Sequence, residues 1–172
     1  MVLVGGVGEL YQGDLDLGRR AVERLAREPL GAHVAVEDLS YGAVAVSQRL
    51  QELRPGALVL VGAARRGRPP GTVRCRRVRP LAQPPAEARH AVAEAVTGYV
   101  SLDLVVEVAS ALGGLPERTV VIEAEPASVE PCERLSPALA ARLEELPALV
   151  RAEVRALIEE LNRLEALEEG AA

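Results

Sequence analysis

The apolar and polar positions of the chain alternate between runs too short for anything but a strand and stretches with helical spacing. Val2 to Gly5 reads as a buried strand, and Leu17, Ala21, Val22 and Leu25 recur at the interval of a helix that ends before Pro29. His33 to Glu37 predicts a second strand. Val44, Val46, Leu50 and Leu53 mark a second helix, stopped by Pro55-Gly56. Ala57 to Val61 is an unbroken apolar run of the kind found in strands covered on both faces. After the turn Pro69-Pro70-Gly71-Thr72, Val73 to Val78 predicts an edge strand whose arginines discourage aggregation.

The pattern continues in the second half. Residues 79–90, rich in Pro and Ala, read as a surface loop. A helix is expected from about Ser101 to Leu112, closed by Gly113-Gly114. Thr119 to Glu123 is another strand, and Pro126 to Pro137 a loop. Ser136-Pro137 has the form of a helix start, with Ser as the cap and Pro at the first helical position. Leu139, Leu143 and Leu146 carry that helix to Pro147, where a break or kink is expected. Val150, Val154, Leu157, Ile158, Leu161 and Leu164 form a further apolar stripe. No internal repeat is visible. The order βαβαβ, followed by more of both elements, predicts a right-handed α/β sandwich of three layers with a mostly parallel sheet.

Composition narrows the reading. The 172 residues suit one domain, expected to span 1–168 with a short tail at 169–172. With 49% apolar residues but no Phe or Trp, the core must be built of Val, Leu, Ala and Ile. A net charge of -5 argues against general nucleic-acid binding. Every basic residue is Arg. Cys75 and Cys132 have neither metal-site spacing nor the form of a redox pair. No run is long enough to span a membrane, and no signal peptide is apparent. A cytoplasmic monomer with reduced cysteines is therefore expected.

Candidate chemistry concentrates between Gly6 and Gly18. The loop leaves the carboxyl end of the first strand, where open α/β sheets place ligands. One reading is a dinucleotide site: Gly6-Val7-Gly8 follows a strand, and Glu37-Asp38 stands where a ribose-binding acid would lie. The third glycine is missing, however, because Tyr11 occupies its place. Another is a ligand-free turn in which Asp14 or Asp16 caps the next helix. His33 and His90 carry no motif. Ser40, Ser47 and Ser101 lack the context of an activated nucleophile. Arg65, Arg66, Arg68, Arg74, Arg76, Arg77 and Arg79 form a local basic cluster. It is either a solvated edge or a docking patch for an acidic protein surface.

Four segments taken together resemble one family. Gly6 to Gly18 is similar to the opening signature Gly-x-Gly-Asn-x-Leu-x-x-Asp-Glu-x-x-Gly of the hydrogenase maturation endopeptidases. Leu58 to Ala63, followed by Pro70-Gly71-Thr72, resembles their LVLVDA…PGT stretch. Thr119 to Pro126, with Glu130 to Ser136, resembles their VVGxxP…xExGLS. The helix ending Ala109-Ser110-Ala111-Leu112-Gly113 takes the place of the helix after their histidine loop. The resemblance runs from residue 1 to about 160 in conserved order and implies a phosphorylase/hydrolase-like α/β sandwich.

The resemblance further implies a protein that trims the carboxyl-terminal extension of the nickel–iron hydrogenase large subunit after nickel insertion. The family reads nickel in the substrate through a Glu, an Asp and a His. Residue by residue, those positions fall here on Leu15, Gly62 and the neighbourhood of Val100 or Ser101, and the family's Asn becomes Glu9. None of these side chains is the expected donor. The acids Glu9, Asp14, Asp16 and Asp38 are candidates for a substitute acidic cleft, set against plain capping and solvation. No cofactor of the protein's own is expected, and no membrane. The expected partner is a large-subunit precursor or a maturation factor. Two functional readings follow: a protease with a relocated acidic site, and a cleavage-impaired binding or quality-control partner. A nucleotide-binding domain is the remaining alternative.

Overall fold

The computed structural model describes residues 1–28, 30–80, 92–93, 95 and 100–170. His90 and most of the expected 79–90 loop lie outside them. Among the described residues, five strands form one sheet: β1 (Val2–Gly6), β2 (Val34–Asp38), β3 (Ala57–Ala63), β4 (Val73–Val78) and β5 (Thr119–Ala124). Their order is β2-β1-β3-β5-β4, parallel throughout except for β4, which runs antiparallel to β5 at an edge. The helices α1 (Leu17–Leu25), α2 (Ala43–Leu53), α3 (Leu102–Ala111) and α4 (Pro137–Glu169) flank it, with a short 3-10 turn at Gly13–Asp16 before α1.

Side-chain alternation along the central strands builds two cores. Leu3, Leu58, Leu60 and Val121 face one way, onto α2 and α3. Val2, Val4, Val59, Val61, Val120 and Ile122 face the other, onto α1 and α4. This double coverage is why β3 reads as an unbroken apolar run. Helix α1 sits unusually close to the sheet because Gly6 and Gly18 face each other. A Cβ on Gly6 would come within 2.2 Å of the Gly18 carbonyl oxygen, and one on Gly18 within 2.3 Å of that of Val61.

The sequence placed most elements within a residue or two, with one clear exception. Pro147 does not end a helix: α4 is continuous for 33 residues. Proline removes one backbone donor, but buried Leu146, Val150, Val154 and Leu157 hold the flanking turns against the sheet. Arg151 to Glu28 and Arg24 to Glu144 add ion pairs from α4 to the region of α1. Ser136 caps α4 as expected, its Oγ accepting from the Leu139 amide at 3.3 Å. No helix among the described residues is long and apolar enough to cross a membrane.

Candidate functional site

A cleft of about 360 Å³ opens at the carboxyl ends of β1 and β3. Its apolar walls include Val7, Leu15, Ala63 and Val100, and its polar lining includes Glu9, Arg65, Ser101 and Asp103. The loop after β1 forms one side. Val7 N–H donates to the Val61 carbonyl at 2.9 Å, Gly8 N–H to Ser40 Oγ at 3.0 Å, and Glu9 N–H to the Leu15 carbonyl at 3.1 Å. The loop after β5 braces this one. Gly13 N–H donates to the Cys132 carbonyl at 2.7 Å, and Cys132 N–H to the Tyr11 carbonyl at 2.9 Å. Tyr11 is left exposed in a left-handed backbone conformation at φ 63°.

The four acids singled out in the sequence take four separate situations. Asp14 is buried, and its carboxylate accepts from the backbone amides of Ser136 at 2.7 Å, Ala127 at 2.8 Å and Ser128 at 3.4 Å. It ties the two loops together rather than lining the cleft. Asp16 is also buried and receives Arg19 at 2.6 and 2.7 Å and Arg20 at 2.8 Å. Neither aspartate caps α1 through its side chain, which corrects the capping expectation: amides and guanidinium groups claim both carboxylates. Asp38 is exposed and accepts from the Ser40 amide at 3.0 Å. Glu9 alone of the four lines the cleft. Its carboxylate bonds to no other described side chain, and burial pushes its carboxyl up from the ordinary value.

The positions expected to read a metal do not fit one. Leu15 and Ser101 do line the cleft, at the places the resemblance assigned to Glu and His. Ser101 Oγ is occupied as the cap of α3, accepting from the Leu104 amide at 3.2 Å. Gly62 has no room for a side chain, because a Cβ there would come 2.6 Å from the Val7 carbonyl oxygen and 3.1 Å from Leu102. Among the described residues, no three His, Cys, Asp or Glu side chains gather in a way that could hold a metal ion. His33 is exposed near the opposite end of the sheet. The acids proposed for a dinucleotide ribose are likewise engaged: Glu37 is held by Arg49 at 2.7 and 3.0 Å, and Asp38 by Ser40.

What the sequence reading missed lies beside the cleft. Glu123, within the apolar run of β5, is fully buried and receives Arg66, Arg68 and Arg76. Burial works to raise its carboxyl, but hydrogen bonds from the three arginines outweigh it and hold the group at about 2. Arg66 and Arg76 also reach Asp103 in the first turn of α3. Four of the seven arginines of the basic cluster are thus paired with carboxylates of the chain itself, since Arg77 meets Glu160 as well. Arg65, Arg74 and Arg79 pair with no other described residue. A charged residue inside a strand otherwise made of Thr, Val, Ile and Ala was the signal available in the sequence.

A mostly parallel α/β sandwich with its cleft at the strand carboxyl ends, entered between the β1 loop and the start of a helix, defines the class. Solved structures define the fold more narrowly. HybD, a hydrogenase maturating endopeptidase from Escherichia coli, is 25% identical, with 90% of this chain and 92% of that one covered at a TM-score of 0.68. The hydrogenase 2 maturation peptidase from a Thaumarchaeota archaeon is 24% identical, with 91% and 98% covered at 0.64. The [NiFe] hydrogenase maturation protease HycI from Thermococcus kodakarensis is 20% identical, with 90% and 92% covered at 0.65. No family model and no curated protein matches the chain. The fold is that of the hydrogenase maturation endopeptidases, in agreement with the resemblance read from the four sequence segments.

Proposed function

We propose that this protein acts in carboxyl-terminal processing or assembly of the nickel–iron hydrogenase large subunit, as a cleavage-impaired relative of the maturation proteases. One observation carries the reading: the cleft is retained at the expected place, while Leu15, Gly62 and Ser101 stand at the three donor positions. A scaffold kept without its metal donors supports recognition of the precursor more than hydrolysis of it. The alternative of a relocated acidic site draws little support, because Asp14 and Asp16 are buried in other bonds and, of the four candidate acids, only Glu9 lines the cleft. We take the protein to be a cytoplasmic monomer whose partner is the large-subunit precursor or a maturation factor.

The test is incubation of the purified protein with nickel-loaded large-subunit precursor. Intact mass spectrometry is expected to show no trimming, and co-precipitation is expected to recover the precursor. Release of the carboxyl-terminal extension would overturn the impaired-cleavage reading. Failure to recover either precursor or maturation factor from the native host would overturn the partner.

A further inference from the structure

Gly62 and Glu123 are register partners in the parallel β3–β5 pair, so their side-chain positions lie on the same face of the sheet. The carboxylate that the resemblance expects at position 62 is therefore present one strand over. It meets an arginine. Arg66 Nη1 and Nη2 grip Asp103 Oδ2 and Oδ1 at 2.7 and 2.8 Å, and Nη2 also lies 2.8 Å from Glu123 Oε2. Arg76 repeats the bridge, reaching Asp103 at 3.0 Å and Glu123 at 3.2 Å. The loop carrying Arg66 is itself fixed, because the amides of Arg66 and Gly67 donate to the Glu125 carboxylate at 2.8 and 3.0 Å.

We infer that Arg66 is a built-in cation: it ties the end of β5 to the first turn of α3, and so sets the cleft wall at Ser101–Asp103 without any ion from the partner. The inference rests on the proposed role in hydrogenase assembly and adds a specificity to it, recognition that is blind to nickel. The chemistry fits. A guanidinium is always charged, spans two carboxylates in a fixed plane and does not exchange as a metal ion does. Arg66 is a positioning residue, acting on the partner through the wall it holds.

Two measurements decide the matter. First, nickel-free and nickel-loaded large-subunit precursor are titrated against the wild-type protein. Affinities within about twofold are expected, and preference for the loaded form by about tenfold or more overturns nickel-blind recognition. Absence of binding by both forms overturns the partner and nickel-blind reading together. Second, amide hydrogen exchange is compared for wild type, Arg66→Ala and Arg66→Lys. Exchange at Leu104 and Val105 is expected to rise by about tenfold in Arg66→Ala, less in Arg66→Lys, and to fall again with added methylguanidinium. Unchanged exchange in a folded Arg66→Ala protein overturns the positioning role whatever the binding result.

Discussion

Asp14 and Glu123 are both buried carboxylates at the same end of the sheet, yet they are satisfied in opposite ways. Asp14 is surrounded by backbone amides from a loop more than a hundred residues away, and its bonds stitch that loop to the one after β1. Glu123 is surrounded by guanidinium groups on long side chains, and its bonds stitch β5 to α3 through them. An amide cage fixes a backbone. An arginine cage depends on the charge of its carboxylate. Neither leaves a carboxylate free for chemistry, so counting acids near a cleft says little until the donors around each are known. Glu9 is what remains after that accounting.

The sharpest way to break the comparison is to remove the amide-bound partner. Asp14→Ala strands three amides in a buried setting and is expected to cost about 4 kcal/mol, read from urea unfolding at neutral pH. For Glu123 the test is made through pH. Its folded carboxyl lies at about 2 against an ordinary 4.5, so its contribution is complete above about pH 4.5 and drains away as pH falls toward 2. The span corresponds to on the order of 3 kcal/mol. Wild-type stability should therefore drop across that window, and Glu123→Gln should flatten the drop; identical slopes would sink the arginine-cage account.

Smaller effects test the cleft itself. Gly62→Asp, which introduces the residue type that the resemblance implies at this position, is expected to destabilise by about 2 kcal/mol because its Cβ meets the Val7 carbonyl. Calorimetry should detect no nickel binding by that variant. Glu9→Gln should act in the opposite direction and most weakly. A carboxyl raised by burial disfavours the folded state once ionised, so stability is lost as pH rises through the ordinary value. The Gln variant should be the more stable at pH 7 and match wild type well below pH 4.

These contrasts also show what the sequence could reveal. The strands of the double-covered sheet were plain because Leu58 to Val61 must be apolar on both faces, and periodicity reports burial directly. The assignment of Leu15, Gly62 and Ser101 to the donor positions is what the resemblance of the four segments implies. The partners of Asp14 were hidden, since its donors are backbone amides of residues 127, 128 and 136, which any residue but proline would supply. The Arg66–Asp103–Glu123 tie was hidden for another reason. It joins a loop, a helix start and a strand that only tertiary register brings together. Pro147 misled because local propensity at one residue lost to burial of the turns on either side.

Helix α4 has a consequence beyond its packing. At ~1.5 Å per residue its 33 residues cover roughly 50 Å. They start beside Asp14, at the same end of the sheet as the cleft, and pass Gly56, Met1 and His33 at the opposite end. The helix is thus a strut from one pole of the molecule to the other. A fluorophore or surface anchor joined after Gly170 would hang from the pole opposite the cleft and leave its approach clear for a bulky guest.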